Sequence, residues 1–130
     1  MTRRLLLLIT LIAGSLFAEN RVFELRTYVC NEGKLETLKT RFRDHTIRIF
    51  ARHGMESIGY WIPQDGPESK TTLIYIIAHK SREQATKNWA EFRADPEWQK
   101  VAAESEKNGK ILAKSPDSKF MDAADFSQIK

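Results

Sequence analysis

The chain of 130 residues is 42% hydrophobic and 29% charged, values that fit one globular domain. Its net charge is +4, and Arg3 and Arg4 near the N-terminus supply two of those charges. No basic stripe interleaved with aromatic side chains follows, so the composition argues against a nucleic-acid partner. Cys30 is the only cysteine, which excludes an internal disulfide.

The N-terminal residues have the pattern of a cleavable secretory signal. Two arginines precede an apolar run at residues 5–17, and small residues follow near the expected cleavage point after Ser15 or Ala18. The run is shorter than the roughly 20 residues that a membrane-spanning helix needs. We therefore predict a signal peptide over residues 1–18. The domain at 19–130 is then exported to the periplasm or the medium, with no stable membrane span after cleavage.

The mature chain begins with a predicted β-strand at Arg21–Val29. Its residues alternate between an apolar face and a polar face, as the period of two in a strand requires. The polar face carries Glu24, Arg26 and Tyr28. A turn at Asn31-Glu32-Gly33 ends the strand.

The hydrophobic period then changes to that of a helix, which we predict from Lys34 to His53. Its apolar stripe follows i, i+3, i+7 spacing through Leu35, Leu38, Phe42, His45 and Ile49. Gly54 suits the end of this helix, because glycine adopts the left-handed conformation without strain.

Two further strands are predicted at Met55–Ile62 and Thr71–Ala78. The second of them is apolar on both faces, since Leu73, Tyr75 and Ile77 alternate with other apolar residues. A strand of this kind is buried on both faces.

The remaining chain predicts a helix capped by Ser81, a helix that begins at Asp95-Pro96, and a last strand at Lys119–Ala123. The order β-α-β-β-α-β is typical of the ferredoxin-like α+β fold, with helices on one face of an antiparallel sheet. Because the third strand is apolar on both faces, the face of the sheet away from the helices should also be covered. We therefore predict a homodimer, in which two sheets pack face to face and enclose a barrel.

Successive blocks of the sequence resemble the NIPSNAP family. They occur in order along nearly the whole mature chain, at Glu24–Tyr28, Phe42–His45, Arg52–Gly54, Ile58–Trp61 and Arg93–Trp98. The resemblance implies a dimeric α+β barrel, in agreement with the two-faced strand. It implies little about chemistry, although the wider barrel group includes cofactor-free monooxygenases, haem enzymes and small-molecule isomerases. Gln128 departs from the family pattern, in which proline is commoner.

His45 is the candidate catalytic residue. Its place on the apolar stripe predicts a side chain in the space between helix and sheet, where related barrels hold ligands. A partly buried histidine there could act as an acid or base near neutral pH or orient a ligand. The alternative is a core histidine whose nitrogens are satisfied by backbone or tyrosine.

Glu24, Arg26 and Tyr28 are the candidate ligand-binding residues, with Trp61 as an apolar wall. Together they could anchor a carboxylate or phenolate group. The alternative for the three strand residues is an ion-paired patch at the dimer interface, and for Trp61 a place in the core.

No metal site and no cofactor are predicted. The three histidines do not have metal-ligand spacing, and no phosphate-binding glycine loop is present. The expected function is therefore that of an exported homodimeric domain that binds a small organic molecule in a helix–sheet pocket. The alternatives are a small cofactor-free oxygenase or isomerase, and a non-catalytic dimeric interaction module.

Overall fold

The computed structural model describes residues 20–130, so the predicted signal peptide at residues 1–18 lies outside the described residues. The described part contains four strands: β1 Val22–Val29, β2 Glu56–Trp61, β3 Thr72–His79 and β4 Asp117–Asp122. Its α-helices are α1 Leu35–Arg41, α2 Ile47–Arg52, α3 Arg82–Ala94 and α4 Pro96–Ser105. A π-helical turn at Phe42–Thr46 joins α1 to α2, and a short 3₁₀ helix occupies Pro67–Lys70.

The strands form one antiparallel sheet in the order β2-β3-β1-β4, which confirms the predicted ferredoxin-like α+β fold. The strands β1 and β3 are central, and their register places Val22 opposite His79. The strand β4 begins at Asp117, two residues earlier than the predicted Lys119. None of the helices in the described residues is long and apolar enough to cross a membrane.

The hydrophobic core lies between the helices and one face of the sheet. Its centre is Tyr75 on β3, which is fully buried and packs against Tyr28 and Phe42 at centroid distances of 5.3 and 5.1 Å. Phe50 from α2 packs on Tyr75 at a centroid distance of 6.0 Å, and Trp89 from α3 packs edge-on against Phe50. Complete burial of each large aromatic side chain contributes about 1.5–3 kcal/mol, so this cluster fixes the helices to the sheet.

The π-helical turn changes the direction of the side chains in the first helix. The backbone N–H of Ile47 donates to the carbonyl of Phe42, five residues earlier. This extra residue per turn places Thr46 in the core at 1% exposure and leaves His45 exposed. The prediction that His45 faces the space between helix and sheet is therefore wrong, because it assumed a regular α-helical period.

The helix caps predicted from sequence are present. The Oγ atom of Ser81 accepts a hydrogen bond of 2.9 Å from the backbone N–H of Gln84 at the start of α3. Asp95 caps α4 in the same way, since its carboxylate accepts from the backbone N–H of Glu97 at 2.8 Å. Pro96 occupies the first turn of α4, where its missing N–H is tolerated.

The face of the sheet away from the helices, here called the outer face, is also apolar. It carries Ile74 and Ile76 of β3 and Leu25 of β1, all partly buried in the chain described. The C-terminal residues cover part of this face near Phe23, while Phe126 itself is 88% exposed. The two-faced pattern of β3 predicted from sequence is therefore observed.

Candidate functional site

The side chain of Glu24 is the centre of a buried polar cluster between the sheet and α3. One carboxylate oxygen accepts from His79 Nε2 at 2.9 Å and from Trp89 Nε1 at 2.7 Å. The other oxygen accepts from Ser118 Oγ at 2.6 Å and from a terminal nitrogen of Arg26 at 2.9 Å. A carboxylate has about four acceptor positions, so these partners saturate it.

The same partners keep Glu24 ionised. Burial by itself would raise the pKa of this carboxyl group, but the hydrogen bonds from His79, Ser118, Trp89 and Arg26 lower its pKa to about 2. A carboxylate that is ionised and saturated at neutral pH neither accepts a further proton nor binds a ligand. Glu24 therefore holds β1, β3, β4 and α3 together.

Arg26 and Tyr28 continue this polar face of β1 and contact each other. The Arg26 guanidinium lies 4.3 Å from the centroid of the Trp89 ring and 3.5 Å from the Tyr28 hydroxyl. The Tyr28 hydroxyl also accepts from Tyr75 at 3.0 Å. The structure thus brings together three of the predicted binding residues. It places them against the helices, and the ion pair between Arg26 and Glu24 that the alternative expected is present within one chain at 2.9 Å.

His79 belongs to the same cluster and was not identified from the sequence. Its side chain is fully buried, and its Nδ1 lies 3.1 Å from the side-chain amide group of Asn88. The alternation of β3 could have indicated it, because His79 lies on the same face as Tyr75 and Ile77. Both ring nitrogens have partners, which is typical of a structural histidine.

Trp61 lies on the outer face of the sheet and is 51% exposed. Its ring covers Gly59, where an added Cβ would lie 2.5 Å from a ring atom. The expected role of Trp61 as a wall of a helix–sheet pocket is therefore wrong. The cause is a β-bulge between Ser57 and Gly59, which reverses the faces of the following residues, so that Tyr60 faces the helices instead.

A groove of about 710 Å³ lies on the helical side of the molecule. One wall is formed by α1, the π-helical turn and the start of α2, and the other wall is formed by α4. We call it the interhelical groove. His45 and Arg48 line one side of it, and Lys100 and Val101 of α4 line the other. His45 therefore contacts an open space, although on the opposite side of the helix from the one predicted.

Arg41 also lines the interhelical groove, although it is only 7% exposed. Its guanidinium donates one hydrogen bond, to Ser105 Oγ at 3.2 Å, and lies 5.0 Å from the centroid of the Trp98 ring. The Nε atom is buried and has no hydrogen-bond partner in the described part of the chain. Burial lowers the pKa of Arg41, but an arginine remains protonated in proteins, so a charged group is present here.

Arg41 was not identified from the sequence because it lies in a row of cationic residues that resembles a solvated helix face. In addition, its contacts Trp98 and Ser105 lie on α4, far from Arg41 along the chain, so the sequence does not indicate them.

Among residues 20–130, no group of three or more His, Cys, Asp and Glu side chains could hold a metal ion.

The groove and the polar cluster occur in a fold shared with known structures. A NIPSNAP family protein of unknown function from Agrobacterium tumefaciens superimposes with a TM-score of 0.71 and 25% identity, over 87% of this chain and 96% of that one. A NIPSNAP-like domain protein from Burkholderia xenovorans gives a TM-score of 0.71 and 20% identity, over 84% and 90% of the two chains.

A monooxygenase from Streptomyces coelicolor, solved in complex with the ligand nanaomycin D, shares the fold at a TM-score of 0.53 and 17% identity, over 82% of this chain and 89% of that one. No protein of curated function shows significant similarity to the chain. A family model, NIPSNAP, matches residues 23–128. Because this match covers most of the chain and agrees with the fold, the protein belongs to the NIPSNAP family.

Proposed function

We propose that this NIPSNAP domain binds a small organic molecule in the interhelical groove, with His45 in contact with the bound molecule. The observation that carries the proposal is the groove of about 710 Å³ that His45 and Arg41 line together. Ligand sites in proteins have volumes of about 300–1,000 Å³ and combine apolar surface with a few convergent polar groups. Val101 supplies apolar surface here, and His45, Arg41 and Lys100 supply the polar groups.

The polar cluster around Glu24 is a weaker candidate for the binding site. All acceptor positions of its carboxylate are occupied by protein donors. A ligand at this position would have to displace hydrogen bonds from buried groups, and each displaced group would lose its partner. The interhelical groove requires no such displacement.

An enzymatic role is the alternative function. A small cofactor-free oxygenase or isomerase of the same barrel group would use His45 to transfer a proton to or from the bound molecule. The support for this alternative is the fold shared with the Streptomyces coelicolor monooxygenase and the accessible imidazole of His45. Turnover of a bound compound, followed by mass spectrometry, would distinguish an enzyme from a binding domain.

We further propose that the protein is an exported homodimer that associates through its outer face. The signal peptide predicted over residues 1–18 supports export. The support for the dimer is the apolar character of the outer face, where Ile74, Ile76 and Leu25 are only partly covered within one chain. Trp61 adds a half-exposed aromatic surface on the same face. A non-catalytic interaction module would use this face alone and would leave the interhelical groove without a ligand.

The binding proposal is tested by a small-molecule screen with ¹⁵N-labelled protein spanning residues 19–130. We expect compounds that shift the amide signals of His45, Lys100 and Val101, and we expect His45→Ala to weaken their binding. Asp44→Ala is the matched control, because Asp44 is an exposed neighbour that does not line the groove. Compounds that bind only elsewhere, or no binding at millimolar concentration, would contradict the proposal.

A further inference from the structure

Arg41 is a buried cation without a carboxylate partner among the described residues. Within residues 20–130 it makes no salt bridge, and the one hydrogen bond of its side chain goes to the neutral hydroxyl of Ser105. That hydroxyl donates in turn to the carbonyl of Ala102 at 2.8 Å. The guanidinium has five N–H donors, so most of its donor capacity is unused.

Arg26, whose side chain is 12% exposed, shows how a largely buried arginine is compensated in this protein. Arg26 is paired with the Glu24 carboxylate at 2.9 Å, with side-chain exposures of 12% and 1%. Removing a charge from water is unfavourable unless a partner of opposite charge compensates for it. Arg26 has that partner within the chain, whereas Arg41 has the aromatic face of Trp98 and one hydroxyl group.

The carboxylates that line the interhelical groove form salt bridges with other cations and not with Arg41. Three glutamates line the groove, and each one is within salt-bridge distance of a lysine or arginine: Glu36 with Lys39, Glu97 with Arg48 and Arg52, and Glu104 with Lys107. Glu106 contributes a favourable charge interaction with Arg41 but accepts a hydrogen bond from the backbone of Ile111. The residues that line the groove thus include three carboxylates and three cations, and two of these cations, Arg41 and Lys100, make no salt bridge among residues 20–130.

We propose that the ligand of the interhelical groove is a small organic monocarboxylate that is bound through Arg41. Its carboxylate accepts hydrogen bonds from the free N–H groups of the guanidinium, whose planar fork matches a carboxylate. Its apolar part packs on Val101, and His45 lies beside it. Arg41 is the only buried cation among the residues that line the groove, because Arg48 and Lys100 are exposed, and one buried guanidinium matches one carboxylate. This inference rests on the proposed function of the groove.

The competing explanation is that Arg41 serves packing alone, through Trp98 and Ser105. This explanation predicts that the groove does not distinguish a carboxylate from a neutral compound of the same shape. A comparison of acids with their primary amides therefore separates the two explanations, because the members of each pair differ mainly in charge.

The experiment measures the binding of naphthalene-2-carboxylate, indole-3-acetate and decanoate, each beside its primary amide, by ¹⁵N chemical-shift titration. For the wild-type protein we expect at least one acid to bind in the groove at least tenfold more tightly than its amide. Arg41→Met should abolish this preference and leave the affinity for the amide unchanged. Arg43→Met is the matched control, because it makes the same chemical change at an exposed position outside the groove.

If Arg41→Met does not fold, Arg41→Lys retains the charge without the planar fork, and we expect it to weaken acid binding at least threefold. Acids and amides that bind equally well in the groove would overturn the carboxylate inference and leave the proposed binding function intact. A preference for acids that survives Arg41→Met, or acid binding that Arg41→Lys does not weaken, would also overturn it. Failure of every acid and every amide to bind the groove would overturn the inference, and together with a negative screen it would refute the binding function.

Discussion

The Nε2 atom of His79 lies 2.9 Å from a carboxylate oxygen of Glu24, and neither side chain is more than 1% exposed. This contact joins the two central strands on the face covered by α3. Since Glu24 also binds Trp89 and Ser118, the cluster links the sheet to a helix and to the edge strand β4. Its role is therefore structural, and its energetic consequences are open to measurement.

We predict that Glu24→Gln lowers the free energy of unfolding by about 3–5 kcal/mol, the usual effect of removing one partner from a buried ion pair. The amide would retain the shape of the side chain but would present its NH₂ group to donors that need an acceptor. Urea denaturation followed by circular dichroism measures the change. The exposed Glu83→Gln is the matched control and should change the value by less than about 0.5 kcal/mol. Equal stability of the two variants would show that the cluster contributes little.

The lowered pKa of Glu24 predicts an acid-dependent loss of stability. The pKa of Glu24 is about 2 in the folded protein, whereas the ordinary value is 4.5. The ionised carboxylate therefore contributes its full stabilisation at every pH above about 4.5. This contribution, of the order of 3 kcal/mol, is lost as the pH falls from about 4.5 towards 2. Unfolding measured between neutral pH and pH 3 should show a steeper loss for the wild type than for Glu24→Gln. Parallel pH curves would contradict the assignment.

The exposed position of His45 predicts that His45→Phe changes the free energy of unfolding by less than about 0.5 kcal/mol. Thr46→Phe, one residue later, should destabilise the protein by about 1–3 kcal/mol, because it forces a larger side chain into the packed core. Thermal and urea unfolding of both variants compare the two positions directly. A large destabilisation by His45→Phe would contradict the exposed position of His45.

The proposed homodimer predicts that Ile76→Asp converts the protein to a monomer. The substitution places a charge in the centre of the outer face, where association would bury it without a partner at a cost of several kcal/mol. Light scattering after size-exclusion chromatography measures the mass. Ile76→Val removes one methylene group and is the control that should remain dimeric. A wild-type protein that is monomeric at micromolar concentration would refute the dimer.

Much of the fold could be predicted from the sequence because its signals are local. The alternation in β1 and β3 follows from the two faces of a strand, and the caps at Ser81 and Asp95 need only the neighbouring backbone N–H groups. The element order then leaves few antiparallel arrangements, and the ferredoxin-like one is observed.

The positions of the candidate site residues could not be predicted, because they depend on backbone irregularities that leave no local pattern in the sequence. Two irregularities, the π-helical turn after Arg41 and the β-bulge before Gly59, reversed the directions predicted for His45 and Trp61. Each arises from one extra residue, which the average hydrophobic period does not reveal.

The sequence by itself determined the α+β class, the strand order along the chain and the apolar character of both faces of β3. Only the tertiary structure decided which charged groups are compensated. Arg26 has its opposite charge two residues away on the same strand, at Glu24, whereas the packing of α4 buries Arg41 against Trp98 and Ser105. The physical reason is that the energy of a buried charge depends on the groups packed around it, and for Arg41 these groups are distant in the chain and close in space.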